Sequence, residues 1–206
     1  HTIIVPTGTY APSRGETFPL VISQVGIYLE TRPDVVFDAE GGSNIFRITA
    51  PTQDFLIKGA SLINGWADRG GVASCESCSL RVVDCIFQNN RATQGGHLVY
   101  VASGRLKFLN NLVRVNGSSG SSPAILELRG TAGDTTVRHE IRNNTFYGNP
   151  SVNILSAGGR ADISNNIFAR LEQPAILDVD TTTANNPLVR YNLFWQTPIL
   201  YLSDRQ

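Results

Sequence analysis

The residues of this 206-residue chain best placed to do chemistry are two carboxylates and the tyrosines around them. Five short apolar runs recur: Leu98–Val101, Ile125–Leu128, Ile154–Ala157, Ile176–Val179 and Ile199–Leu202. Read as strands with Leu126, Leu128, Leu177 and Val179 inward, they project an outward column of Tyr100, Glu127, Ser156, Asp178 and Tyr201. A second outward column reads Ala102, Arg129, Gly158, Asp180 and Ser203. Two rungs of stacked strand separate Glu127 from Asp178, roughly 9.6 Å. That is the outer edge of the roughly 6.5–9.5 Å between the carboxylates of inverting glycosidases. Glu127 and Asp178 are therefore the candidate catalytic pair. Tyr100, Arg129, Asp180 and Tyr201 are the candidate binding residues for a sugar chain laid along the axis. The plain alternative is a solvated strand face, where polar side chains simply meet water.

Other reactive types carry less. Cys75-Glu-Ser-Cys78, with Cys85 and His97, supplies zinc-ligand types but lacks a second ligand pair at finger spacing, so no metal and no cofactor is assigned. Cys75 and Cys78 either pair or stay free. No motif places a nucleophile beside His97 or His139, which read as surface or loop residues. Asn116-Gly-Ser118 and Asn143-Asn-Thr145 fit the glycosylation acceptor pattern.

Something must position these columns, and the sequence names it. An Asn-x-Phe element recurs as Asn64-Gly-Trp66, Cys85-Ile-Phe87, Asn111-Leu-Val113, Asn144-Thr-Phe146, Asn166-Ile-Phe168 and Asn192-Leu-Phe194, at intervals of 21 to 33 residues. A unit of that length cannot bury its apolar face alone and must stack on its neighbours. Gly and Pro bound the strands, and helical periodicity is sustained nowhere. The expectation is an all-β chain, one parallel β-helix domain over 1–206 of about eight rungs. In it the Asn sits at a left-handed turn, Cys85 substitutes in the Asn column, and the aromatic points inward.

Lys plus Arg and Asp plus Glu are balanced at 17 each, and no basic run exists, which argues against nucleic acid as a partner. No stretch approaches the roughly 18 apolar residues of a spanning helix. Low charge with abundant Asn, Gly, Ser and Thr fits an extracellular or cell-surface repeat protein. His1 leads directly into Thr2-Ile-Ile-Val5, so an N-terminal cap is expected outside this sequence.

The opening Val5-Pro-Thr-Gly-Thr-Tyr10, followed by Gly15-Glu-Thr-Phe-Pro-Leu20 and Gly26-Ile-Tyr-Leu29, resembles a bacterial domain family of uncharacterised activity in the pectin-lyase-like superfamily. Thr7 departs from its usual Pro. The resemblance implies a right-handed coil. Activity is left open, because that superfamily mixes lyases, hydrolases, epimerases, adhesins and tailspikes. Its hydrolase, lyase and epimerase motifs have no match here; Gly95-Gly-His-Leu98 lacks the second Gly of a Gly-His-Gly element. The first expectation is therefore a secreted or surface β-helix module that contacts carbohydrate or protein. The rival is a polysaccharide lyase or glycoside hydrolase using Glu127 and Asp178. A further alternative is a subunit that self-associates end to end through its open rungs.

Overall fold

The computed structural model describes residues 1–32, 34–49, 54–118, 124–130, 138–158, 160–179, 187–198 and 201–203, the last three by backbone alone. Every described strand is three to five residues long, because Gly, Asn and Pro corners interrupt the chain at that interval. The chain visits three parallel sheets in a fixed rotation, and each sheet holds eight strands. Sheet I runs from Thr2–Ile4 to Leu188–Arg190, sheet II from Gly8–Tyr10 to Leu193–Trp195, and sheet III from Leu20–Ile22 to Tyr201–Ser203. The protein is an all-β parallel β-helix. Its one helical turn among the described residues is Pro12–Arg14.

In-register stacking turns side chains into columns. The inner column of sheet II reads Phe37, Leu62, Phe87, Val113, Phe146, Phe168 and Phe194. Val113 is the small member, and Phe108 of sheet I fills the space it leaves. The Phe108 ring lies 5.4 Å from Phe87 and 6.3 Å from Phe146. Phe146, Phe168 and Phe194 then stack at 5.0 and 5.2 Å. Each fully buried ring contributes about 1.5–3 kcal/mol of transfer free energy. Trp66, expected in this column, is not in it. Asn64 aligns with the turn residue Asn89, so Trp66 falls beyond the strand and is half exposed.

The Asn column exists, but its role differs from the expected one. The left-handed residues are its predecessors, Asp84, Asn110, Asn143, Asn165 and Tyr191, with φ of 56–58°. The repeated Asn itself is buried and bonds along the axis. The Oδ1 atoms of Asn111, Asn144, Asn166 and Asn192 each accept the backbone N–H of the equivalent residue one rung back, at 2.8–2.9 Å. Their Nδ2 groups donate to Val82, Phe108, Ile141 and Ile163 carbonyls. Cys85 does occupy this column, and burial pushes its thiol up to about 12. A second ladder went unread in the sequence. Asn90, Asn116 and Asn149 repeat the pattern on the corner that leaves sheet II, starting from the Gly65 N–H. Asn116, one of the two glycosylation-pattern asparagines, is fully buried there.

These ladders satisfy corner groups that a strand cannot reach. Asn144→Ala would orphan the Asn111 N–H and the Phe108 carbonyl, so urea denaturation should show a loss of about 2–5 kcal/mol. Asn144→Asp should be no better, because a carboxylate oxygen would face the Phe108 carbonyl and Asn166 Oδ1. A near-neutral Asp variant would contradict the ladder.

Candidate functional site

The outward column on sheet III needs correcting by one residue. Tyr100 does stack on Glu127, but Glu127 pairs with Leu155, which pairs with Leu177. Ser156 and Asp178 belong to the neighbouring inner column, behind Val101 and Leu128. The sequence alignment matched Ile125 to Ile154, whereas the structure matches Leu126 to Ile154. Side chains have a period of two along a strand, so that slip sends every later residue to the opposite face. Asp178 is fully buried, while Leu177 and Val179 point outward and are half-buried. Glu127 and Asp178 therefore do not face one another across a ligand, and the two-rung separation between them does not apply. Asp180 lies outside the described residues, as does the Tyr201 side chain.

Tyr100 and Glu127 do come together under a flap, with the exposed Arg129 beside them. Trp66–Arg69 and Arg91–Gly95 form a two-stranded parallel sheet beside sheet III. The flap's return passes over Tyr100 and Glu127, which are only 7% and 2% exposed although they face outward. Glu127 Oε2 accepts the Gly96 N–H at 3.0 Å, and Oε1 accepts Arg129 Nε–H at 2.5 Å. That bond holds the Arg129 guanidinium above its ordinary range. Arg69 covers the Tyr100 ring at 5.0 Å. Gly96 must be glycine, since φ is +54° and a Cβ would collide with the Val99 carbonyl. A Cβ on Gly95 would press within 3.0 Å of Tyr100 and 3.1 Å of Glu127. Both Glu127 oxygens are engaged, so this carboxylate fastens the flap. Glu127→Ala should lower stability by about 2–4 kcal/mol, by calorimetry or urea melt, by leaving a buried N–H and a cation unmatched. Full stability in that variant would free Glu127 for another role.

The two histidines are core residues, contrary to the expectation of loops. His97 and His139 have no exposed surface. Their Nδ1 atoms accept the N–H groups of Ala92 and Leu106 at 2.8 and 3.2 Å. Burial, assisted by Arg91 and Arg105 respectively, lowers each to about 4. The unfolded chain binds their protons from about pH 6.5 downward, and the folded chain resists until about 4. Their stabilisation is therefore complete above pH 6.5 and is lost as pH falls toward 4, by about 3 kcal/mol each. His139→Asn keeps an acceptor without a titration. Urea midpoints between pH 7 and 4 should then depend on pH about half as steeply.

The flap builds a groove that sequence reasoning did not find. Glu40, Gly41, Asn64, Gly65, Trp66, Asn89 and Arg91 line an open depression of about 510 Å³ at the corner between sheets II and III. Trp66 and Arg91 are register partners in the flap, and Trp66 is 55% exposed. The walls are fixed from behind. Asn64 Nδ2 donates to Asp38 at 2.9 Å, and Glu40 takes Ser13 N–H at 3.1 Å and its hydroxyl. Nothing in the sequence signalled this groove, because Trp66 read there as a member of the buried aromatic column.

Cys75 and Cys78 are disulfide-bonded, which closes the question the sequence left open. Among the described residues no group of His, Cys, Asp or Glu is arranged to hold a metal ion. Nor, among the described residues, is any helix long and apolar enough to cross a membrane. No protein-family model, curated protein or solved structure matches the chain.

Proposed function

We propose that this protein is a secreted or surface-exposed carbohydrate-binding module of pectin-lyase-like, right-handed type, and that sugar binds at the Trp66 groove. The groove's lining carries the reading. A sugar ring has a C–H face that an exposed indole can cover, and hydroxyls around its edge that need donors and acceptors. Trp66 supplies the first; Arg91, Asn64, Asn89 and Glu40 supply the second. Their rigid backing limits the ordering cost of binding. The Cys75–Cys78 bond supports an oxidising compartment. The enzyme reading loses its premise, because Glu127 is tied on both oxygens and Asp178 is inside.

End-to-end association remains a second reading. Val5, Tyr10, Leu20, Ile27, Phe37 and Phe46 line an apolar opening at the first turn. The facing side chains at the other end lie outside the described residues.

Titration calorimetry against a panel of neutral oligosaccharides tests the binding reading. At least one should bind without release of reducing ends or unsaturated product. Trp66→Ala should weaken it by about tenfold or more, with an unchanged melting temperature because the ring is half exposed. Turnover lost in a folded Glu127→Gln protein would restore the enzyme. Unchanged affinity in Trp66→Ala would remove the groove.

A further inference from the structure

A column of three arginines stands on the outer face of sheet I. Arg105, Arg138 and Arg160 open the strands Arg105–Leu109, Arg138–Arg142 and Arg160–Ser164. Arg138 pairs directly with Arg160, and the offset that pairs Lys107 with Glu140 sets Arg105 opposite Arg138. All three are exposed. Among the described residues none of their side chains has a hydrogen bond, an ion pair or a ring contact.

Like charges directly opposite on neighbouring strands destabilise a sheet. The adjacent column also sets like charges opposite, Arg81 on Lys107 and Glu140 on Asp162, but each of those side chains has an opposite charge beside it. Lys107 meets Glu140 at 3.0 Å, Arg142 meets Asp162 at 2.6 Å, and Arg190 reaches the same Asp162 oxygen at 3.1 Å. Those carboxylates are occupied, so among the described residues the three arginines are a surplus without an opposite charge. Local rules are most often broken where function requires it. At one end the column also enters a groove of about 350 Å³, which Arg105 lines with Ser77, Ser79, Ser103 and Asp54. Asp54 is already held by Ser79 and by Arg81 at 3.6 Å, which leaves the serine edges for a neutral polar group.

We propose that Arg105, Arg138 and Arg160 bind a linear acidic glycan running along the coil axis. Its charged groups pair with successive guanidinia at about the 4.8 Å strand spacing, and its hydroxyls enter the serine groove. A planar guanidinium grips carboxylate or sulfate oxygens in pairs, which an ammonium cannot do. The site lies on sheet I, away from the Trp66 groove between sheets II and III, and does not depend on it.

The test is calorimetry of the whole chain at low salt with four probes: a uronic-acid oligomer, a sulfated glucan, an uncharged glucan and single-stranded DNA. One or both acidic glycans should bind, and the one that does identifies the charged group. Three arginine contacts predict a loss of about tenfold in affinity between 50 and 200 mM salt. The triple variant R105Q/R138Q/R160Q should lose at least about tenfold in affinity. Its melting temperature should hold or rise, because repulsion has been removed, and that separates lost binding from lost fold. Trp66→Ala should leave this binding unchanged, which separates this site from the groove. Failure of both acidic glycans, an equal loss of uncharged-glucan binding in the triple variant, or unchanged acidic-glycan affinity in it would overturn the proposal. DNA binding as tight as the glycan would overturn its assignment to sugar.

Discussion

Everything in this molecule depends on backbone groups being satisfied one rung away, in register. Parallel strands pay for that across their length, but the corners between sheets expose N–H and C=O groups that no strand reaches. Asparagine solves the problem because one side chain carries both an acceptor and a donor. Asn144 joins Asn111 and Phe108 of the rung before it to Asn166 of the rung after it, through a single buried amide. Two such ladders pin two of the corners, and the pinned corners fix the register of the strands on either side. Packing follows from register: Phe108 fits between Phe87 and Phe146 because Val113 is held opposite the gap.

Register also decides what the protein can present to a partner. On sheet III the outward column reads Val21, Arg47, Ser74, Tyr100, Glu127, Leu155 and Leu177, of which Tyr100 and Glu127 are covered by the flap. The Glu127 carboxylate is thereby closed to solvent. Two features stand open to solvent: the Trp66 flap, where the coil departs from its repeat, and the column of Arg105, Arg138 and Arg160, whose like charges have no opposite partner among the described residues. Both features are exposed, and neither belongs to the carboxylate pair read from the sequence.

The fold was legible because Asn-x-Phe repeats are a physical consequence of ladder and core, and five of the six triplets fell in the right column. The sixth failed because Asn64 sits at a turn, where Asn is equally favoured. The candidate site was legible only as far as Arg129. Between Leu128 and Ile154 lies the chain's long insertion, and an apolar run cannot be phased across it when Ile-Leu recurs at either offset. Anchoring on the ladder would have done better. Arg105, Arg138 and Arg160 each stand six residues before Asn111, Asn144 and Asn166, by subtraction of their numbers, so the arginine column is implicit in the repeat. Buried His97 and His139 were missed because nothing local distinguishes an imidazole that accepts a backbone N–H in a core from one on a loop.

Native-state hydrogen exchange, resolved by residue, tests the ladder account most directly. The amides of Cys85, Asn111, Asn144 and Asn166 each donate to an asparagine side chain rather than to a strand. If the ladders hold the register, these corner amides exchange only through global unfolding, with the same free energy as the central strand amides of sheets I and II. If they exchange through small local openings while the strands stay protected, the asparagines decorate the corners without holding them, and the account is wrong.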